Sequence, residues 1–230
     1  MRYFYTLLML LLLNSCNKNT IQLFNSNNLD GWVNYGGGKF YVEDGCIVAE
    51  SINELPNTFL HTEKKYKDFI LEFDVKLDTV LNSGVQIRSN IYKKQTTTDR
   101  WGGLFDEEGN KLIMKRTWMV GRFWGYQIEI DPTSRSWSGA IYEEGGRGFL
   151  HTPGINEKVK AAFKPLQWNH FKIYVEGDHI QSWINDVMIA DVHDNLTSDG
   201  YIALQLHGIG QNSLKVNKKI RWKNLILKVL

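Results

Sequence analysis

The sequence contains few cysteines, which limits how the chain can be stabilised. Only two occur among its 230 residues, and Cys16 belongs to the apolar N-terminal segment. Cys46 then has no partner, so we expect no intramolecular disulfide in the exported chain. Cys46 lies in the apolar run GCIVAE, which predicts a small buried residue. A domain of this length can instead be stabilised by its own hydrophobic core.

Three further features are lacking. The net charge is +2 and no basic stripe occurs, so no nucleic-acid partner is expected. No segment keeps an amphipathic helical period for more than two turns, and residues 156–164 (NEKVKAAFK) are expected to form one turn or a loop. No internal repeat is found. The lack of a helical period is consistent with an all-β domain.

The first sixteen residues have the pattern of an export signal. Arg2 precedes an unbroken apolar run at residues 7–13, which is too short and too early to be a transmembrane anchor. LNSC at residues 13–16 resembles the lipobox of bacterial lipoproteins, so Cys16 is the predicted lipidation site and residues 17–20 a short tether. We expect an exported protein, lipid-anchored in a bacterial cell envelope and facing the periplasm. A plain cleaved signal is the alternative.

Period-two alternation dominates residues 21–230 and predicts one domain. FILEFDVKL at residues 69–77 alternates apolar and polar side chains, as a half-buried strand does. SGVQIRS, HFKIYVEG, YIALQLHG and IRWKNLILKV follow the same pattern. HIQSWINDVMIADV predicts a hairpin with Asn185 and Asp186 at the turn, because both residues tolerate positive φ. Many short strands of this kind predict a β-sandwich or jelly roll.

One long connection interrupts this pattern. Residues 91–124 are polar and aromatic and contain KKQTTTDRWGGLFDEEGN. Loops of that length inside a compact domain are uncommon and often act as lids over a site. A strand-bearing decoration without a role in chemistry is an equal alternative.

Three predicted strands place polar side chains on one face. Because successive side chains of a strand point to opposite faces, GYQIEID separates its polar residues from Tyr126, Ile128 and Ile130. An antiparallel sheet can expose such a face for solubility alone, but Gln, Arg, Glu and His form directed hydrogen bonds or titrate. The pattern therefore favours a carbohydrate cleft. The polar residues concerned are Gln86 and Arg88, Gln127, Glu129 and Asp131, and Gln205 and His207.

A series of short motifs runs along the chain. LFN, LDGW and VEDGCI occur within residues 23–47, and NSGVQIRS, GYQIEID, SGAIYEEG and GYIALQLHG follow in order. Over residues 21–227 this series resembles the 3-keto-disaccharide hydrolase domain family. The resemblance implies a concanavalin-like jelly roll of two antiparallel sheets with a concave sugar-binding face. It also implies action on glycosides whose C3 hydroxyl is oxidised to a ketone, which an upstream sugar 3-dehydrogenase would supply.

The resemblance also implies roles for individual residues. We expect Glu129 or His207 to act as base or acid. Arg88 is the third expected catalytic residue, contacting sugar or enolate oxygens together with Gln86. Arg88 near Glu129 would also lower the pKa of the Glu129 carboxyl and keep it ionised. The expected substrate-binding residues are Asn82, Gln86, Gln127, Asp131, Tyr142 and Glu143, together with Gln205 from its strand face and Trp124 as a sugar-stacking residue.

Two other functions remain open. Residues 129–131 resemble the start of the signature of laminarinase-type glucanases, but no further acid follows until Glu143, and such chemistry needs a second carboxylate. In a non-catalytic lectin-like module, Trp101 and Trp124 would stack on sugars. The sequence requires no cofactor. Oxygen ligands, or His207 with Glu129, could bind a divalent metal, but no spacing forms a metal motif and no metal is assigned.

Overall fold

The computed structural model describes residues 19–78, 81–154 and 156–230. The export signal and the predicted lipidation site Cys16 lie outside these residues. Thr20, which the sequence analysis placed in the tether, begins the first strand. Within the described ranges, no helix is long and apolar enough to cross a membrane.

Short strands make up most of the described chain, as the period-two patterns predict. One helical turn, α1 (Glu157–Lys160), is capped by the side chain of Asn156, and a 3-10 turn spans Ser213–Lys215. The strands are β1 (Thr20–Gln22), β2 (Trp32–Tyr35), β3 (Lys39–Glu43), β4 (Cys46–Glu50), β5 (Thr58–Thr62), β6 (Phe69–Leu77), β7 (Ser83–Ile91), β8 (Thr96–Phe105), β9 (Lys111–Trp118), β10 (Phe123–Ile130), β11 (Ile141–Glu144), β12 (Gly148–His151), β13 (Asn169–Glu176), β14 (His179–Ile184), β15 (Val187–His193), β16 (Tyr201–Leu206) and β17 (Lys219–Val229).

The strands form a sandwich of two sheets, as predicted. The eight-stranded sheet has the order β15-β14-β13-β6-β17-β4-β3, with β1 also paired to β17. The nine-stranded sheet has the order β2-β5-β16-β7-β10-β11-β12-β8-β9. The pairings are antiparallel except for a parallel contact between β12 and β8. β7, β10 and β16, which carry the polar motifs, therefore lie side by side.

The core lies between the two sheets and follows the alternation of the sequence. Every second side chain of β6, from Phe69 to Leu77, is apolar and buried, and the side chains between them are partly exposed. From the other sheet, β7 contributes Val85 and Ile87, and β16 contributes Ile202 and Leu204. Each such side chain stabilises the fold by about 1.5–3 kcal/mol when fully buried. Burial of this face leaves the polar residues of the same strands on the outer face.

Two local predictions are confirmed. Asn185 and Asp186 connect β14 to β15 with φ values of 48° and 65°, the left-handed conformation that a two-residue hairpin turn requires. Cys46 is buried and carries a free thiol.

The long connection at residues 91–124 contains a hairpin instead of an irregular loop. β8 and β9 pair at the edge of the nine-stranded sheet, and β12 reaches β8 through Gly148, opposite Trp101. Gly148 has a φ of 86°, and a Cβ at this position would collide with the carbonyl oxygen of Trp101. A glycine is therefore needed where the two strands meet. This contact places β8 beside the outer face of β10 and β11.

Candidate active site

A polar cavity of about 170 Å³ opens on the outer face of the nine-stranded sheet. Gln127 and Glu129 of β10 line it, whereas the alternating residues Tyr126, Ile128 and Ile130 lie in the core. The cleft predicted from the GYQIEID pattern is thus present at this strand. The other lining residues are Asn82, Arg100, Gly102, Arg135, Tyr142, Glu144, Phe149, Gln205 and His207.

Glu129 lies at the floor of the cavity and is 5% exposed. Asn82 Nδ2 donates a hydrogen bond to Glu129 Oε1 at 2.7 Å, and Gln127 Nε2 donates to Oε2 at 2.8 Å. Burial raises the pKa of Glu129, and the two amide donors oppose that shift because they favour the ionised form. Both carboxylate oxygens are therefore oriented, and the proton affinity is higher than that of an exposed glutamate.

A chain of amide side chains fixes the orientation of Gln127. Its Oε1 accepts hydrogen bonds from Gln205 Nε2 at 2.8 Å and from Gln86 Nε2 at 2.5 Å. Gln86 Oε1 in turn accepts from Ser89 Oγ at 2.9 Å. Since Oε1 of Gln127 is occupied by two donors, its NH₂ group must point toward Glu129. Of the predicted binding residues, Gln86 reaches the site only through Gln127, whereas Gln205 contacts Gln127 and also lines the cavity.

The cation beside Glu129 is Arg135, which sequence analysis did not identify. Arg135 Nη2 is 3.9 Å from Glu129 Oε1, and Arg135 Nε donates to Asp131 Oδ2 at 2.8 Å. Asp131 also accepts from the backbone N–H of Thr133 at 3.0 Å. Asp131 does not line the cavity itself. Its predicted role in binding substrate is replaced by that of holding Arg135 in place.

Arg88 was predicted to lie beside Glu129 but instead contacts loops of the eight-stranded sheet. Its guanidinium donates to the carbonyls of Lys67 and Gly177, both at 2.6 Å, and to Asp68 Oδ1 at 2.7 Å. These acceptors belong to the loop before β6 and the turn after β13, in the eight-stranded sheet. Arg88 has a φ of 45°, and the pairing of β7 with β16 shifts register nearby. The irregularity breaks the alternation, so Arg88 neither lines the cavity nor lowers the pKa of Glu129.

Strand register also corrects the assignment on β11. Tyr142 lies opposite Gln127 and lines the cavity, whereas Glu143 lies opposite the core residue Tyr126. Residues directly opposite each other share a face of the sheet. Glu143 is accordingly buried and pairs with the partly exposed Arg147 instead of entering the cavity.

Glu144, the residue after Glu143, lies on the cavity face. It is opposite Gly125 on β10 and forms an ion pair with Arg122. Tyr142, two residues earlier, accepts a hydrogen bond at its hydroxyl from Arg100 Nη2. The cavity therefore contains Glu129 and Glu144, not Glu129 and Glu143.

The two tryptophans proposed for sugar stacking do not line this cavity. Trp124 stacks on Tyr92, with ring centroids 5.1 Å apart, in a separate surface groove. A register shift between Trp124 and Tyr126 turns its side chain away from the cavity face. Trp101 is 5% exposed, and its Nε1 donates to the Leu104 carbonyl at 2.6 Å. Phe149 is the apolar ring that lines the cavity.

His207 follows β16 and lines the cavity, as predicted. Its Nδ1 is 2.8 Å from the carbonyl oxygen of Gly208. Since a carbonyl only accepts, Nδ1 carries the proton and Nε2 of the neutral ring has a free lone pair. Burial lowers the pKa of His207, which favours this neutral form. Within the described ranges, no cluster of three or more His, Cys, Asp or Glu side chains is arranged to hold a metal ion.

Residues 19–228 match the model of a family described as the 3-keto-alpha-glucoside-1,2-lyase-like domain. No protein with a curated functional description matches the chain.

Solved structures show where else this architecture occurs. A proposed glycosyl hydrolase from Parabacteroides distasonis superposes with a TM-score of 0.58 at 16% identity, covering 93% of this chain and 95% of that one. The carbohydrate-binding module CBM66 from Bacillus subtilis superposes with a TM-score of 0.56 at 15% identity, covering 89% of this chain and 99% of that one. A Bacillus licheniformis β-glucanase superposes with a TM-score of 0.50 at 10% identity, covering 91% of this chain and 96% of that one. At these identities the likeness establishes the concanavalin-like fold alone.

Proposed function

The chain belongs to the family of 3-keto-alpha-glucoside-1,2-lyase-like domains, and we propose that it cleaves 3-keto-glycosides by removing the C2 proton and eliminating the C1 substituent. The observation that carries this proposal is the oriented, buried carboxylate of Glu129 with Arg135 beside it. A base and a cation within 3.9 Å of each other suit a reaction that removes a proton next to a carbonyl.

The ketone determines the chemistry required of the site. A carbonyl at C3 acidifies the proton on C2, and a Glu129 oxygen takes that proton while the C–H electrons form an enolate. The C3 carbonyl then re-forms, a C1–C2 double bond appears and the C1–O bond breaks. The leaving oxygen takes a proton and departs as an alcohol. Addition of water to the resulting enone would make the overall reaction a hydrolysis.

Glu129 suits the role of base. General bases work best when their pKa approaches the working pH, and burial raises that of Glu129 from the low range of an exposed glutamate. The amide donors from Asn82 and Gln127 hold the ionised form and its direction. The site thus combines a stronger base with a fixed orientation, at the cost of a buried charge.

Arg135 suits stabilisation of the enolate oxygen. Its Nε is bound to Asp131, while its Nη groups extend toward Glu129 and the side chain is 43% exposed. A guanidinium fixed in this way can donate to an oxygen as negative charge develops on it. Asp131 keeps the donor in place before substrate arrives, so little reorganisation is needed.

Two further groups can complete the reaction. The Tyr142 hydroxyl oxygen accepts from Arg100, so its own O–H remains available to protonate the leaving oxygen. His207 presents an unprotonated Nε2 in its neutral form, which can accept a proton from water during addition to the enone.

The geometry gives less support to a two-carboxylate glucanase. Glu144 lies opposite Gly125, four residues from Glu129, so the two α-carbons are separated by about 13 Å along the strand. The paired carboxyl groups of glycosidases lie about 5–9.5 Å apart, so the two side chains would have to lean toward each other to reach that spacing. The Glu144 carboxylate is instead engaged by Arg122, and the Glu129 carboxylate by Asn82 and Gln127. These contacts favour elimination over a two-carboxylate mechanism.

A paired substrate assay tests the proposed function. We expect cleavage of a 3-keto-glucoside and no cleavage of the matching unmodified glucoside, because only the ketone makes the C2 proton acidic. Deuterium at C2 should slow turnover or exchange with solvent. Cleavage of the unmodified glucoside would instead favour the glucanase, and binding of both compounds without cleavage would favour a lectin-like module. Either result would overturn the elimination mechanism.

Gly84 provides a test of the orientation of Gln127. Gly84 lies opposite Glu129 in the β7–β10 pairing, and a Cβ at Gly84 would come within 2.5 Å of Gln127 Cγ and 2.7 Å of its Nε2. We expect Gly84→Ala to displace Gln127 and remove one donor from the carboxylate. A charge-assisted hydrogen bond of about 1.5 kcal/mol corresponds to roughly a tenfold fall in kcat.

The control for this variant is Gly154→Ala. Gly154 has a negative φ and no atom close to the position of an added Cβ, so activity and stability should be unchanged. Steady-state kinetics on the 3-keto-glucoside would measure both variants. If Gly84→Ala kept the kcat of the parent, the amide chain would have no part in holding Glu129.

A further inference from the structure

Three arginines surround Trp118 at the rim of the cavity. The guanidinium carbons of Arg116, Arg100 and Arg122 lie 4.6, 5.4 and 5.5 Å from its ring centroid. Thr98 of β8 lies opposite Arg116 of β9 and accepts a hydrogen bond from Trp118 Nε1 at 2.9 Å. The hairpin thus holds one indole ring in place, with Arg100, Arg116 and Arg122 around it as an arginine cluster.

The positive charge of the arginine cluster is only partly balanced by nearby acids. Arg122 is paired with Glu144. Within the described ranges, Arg100 and Arg116 have no carboxylate oxygen within 4.0 Å. Arg100 Nη1 and Arg122 Nε are buried without a hydrogen-bond partner. Buried donors are nearly always satisfied in folded proteins, and these two N–H groups are free to donate to an acceptor that binds beside them.

The arginines also act on one another. Burial lowers the pKa of Arg122, and the positive charges of Arg116 and Arg100 act in the same direction, partly offset by Tyr142. Like charges at this separation repel, and an anion placed among them would relieve that repulsion. Planar guanidinium groups match the two oxygens of a carboxylate or of a sulfate ester.

We propose that the arginine cluster is a subsite for an anionic group, a carboxylate or sulfate ester, carried by the saccharide whose 3-keto ring occupies the Glu129 cavity. Arg100 belongs to both the cluster and the cavity lining, so an anionic group on the molecule that carries the reacting ring lies within reach of the cluster. The proposal rests on the proposed function and narrows its substrates to acidic glycosides.

The test compares three 3-keto-disaccharides that differ only in the leaving sugar: glucose, glucuronate or glucose 6-sulfate. We expect kcat/KM to be about tenfold higher for at least one anionic compound than for the neutral one, since hydrogen bonds to charged groups contribute about that factor. The advantage should shrink as NaCl is raised. A higher kcat/KM for the glucuronate compound would identify the anion as a carboxylate, and a higher kcat/KM for the 6-sulfate compound would identify it as a sulfate ester.

Arg116→Gln is the informative variant because Arg116 is exposed and lies outside the proposed catalytic groups. It should remove most of the anionic advantage and leave kcat/KM for the neutral compound unchanged. Lys115→Gln is the matched control, since it removes one positive charge from the next residue, which pairs with Asp99 on the other face of the hairpin. Equal kcat/KM for all three compounds, or equal effects of both variants, would refute the subsite.

A binding measurement separates this proposal from the proposed function. Calorimetry with the unoxidised glucuronate and glucose disaccharides needs no catalysis. One outcome is that no 3-keto compound is cleaved, while the glucuronate disaccharide binds to the parent and binds more weakly to Arg116→Gln. In that case the subsite would stand without the elimination mechanism. If the neutral 3-keto compound were cleaved and no anionic preference appeared in either assay, the mechanism would stand without the subsite.

Discussion

Replacing Glu129 by glutamine should lower kcat on a 3-keto-glucoside by about 10²- to 10⁴-fold, the contribution typical of a general base. Glutamine has nearly the same shape and can still accept a hydrogen bond, but it cannot take the C2 proton. The binding contacts of the cavity should survive, so KM should change little. Glu129→Asp keeps a carboxylate that is one methylene further away, and its kcat should fall between those of the parent and the glutamine variant. Near-parental turnover of Glu129→Gln would exclude Glu129 as the base.

The same variant should remove a pH dependence of stability. Burial raises the pKa of Glu129 in the folded state, so between the unfolded and folded pKa values the folded chain binds more protons than the unfolded chain. The parent therefore loses stability as the pH rises through this window, and glutamine does not. Glutamine also places an NH₂ group against one of the two amide donors, so the test is the pH dependence and not the absolute melting temperature. The melting temperature of the parent relative to that of Glu129→Gln should fall as the pH rises. The acidic limb of parental kcat/KM should lie above the pH at which an exposed glutamate titrates.

Alternation within single strands made much of this site predictable. Gln127 and Glu129 reach the cavity because Tyr126, Ile128 and Ile130 face the core. The alternation of polar and apolar side chains over these five consecutive residues is visible in the sequence. Burial of one face decides the direction of the other wherever a strand stays regular. The sandwich follows from many such strands together.

Prediction failed where the orientation of a side chain depended on a neighbouring strand. Whether Glu143 or Glu144 faces the cavity depends on the register of β11 with β10. Two adjacent acids give no sequence pattern that shows which one faces the core. Arg88 lies at an irregular point of β7 that breaks the alternation. Such irregularities depend on pairing with distant segments, so period-two reading cannot locate them.

The cavity arginines were missed for a related reason. Arg135 lies in a loop and becomes part of the site only because Asp131 holds its Nε. Arg100 lies on an edge hairpin whose two faces are both largely polar or exposed, so no burial pattern distinguishes it from a loop residue. Arg100 depends on the distant residue Tyr142, and Arg135 depends on the conformation of its loop. A single sequence gives little information on either.

Replacing Arg88 by methionine should destabilise the fold severely while sparing catalysis in the molecules that remain folded. The Arg88 side chain is 1% exposed and bridges the sheets through Asp68 and the carbonyls of Lys67 and Gly177. Methionine retains the apolar stem but leaves all three acceptors without this donor. Removing one partner of a buried ion pair costs about 3–5 kcal/mol. Because Asp68 is 24% exposed and can recover water, we expect a loss near 3 kcal/mol, measured by urea unfolding.

Arg135→Met provides the comparison, because the two variants should differ in kcat per folded molecule. Arg135→Met removes the cation proposed to stabilise the enolate and should lower kcat by about 10²-fold or more. It also leaves the buried Asp131 carboxylate without its cation, so we expect it to lose stability as well. Arg88→Met should show a melting temperature roughly 6–12 °C lower and a parental kcat per folded molecule below that temperature. A large fall in kcat for folded Arg88→Met would restore the catalytic role that the sequence suggested. A parental kcat for Arg135→Met would remove the enolate donor from the mechanism.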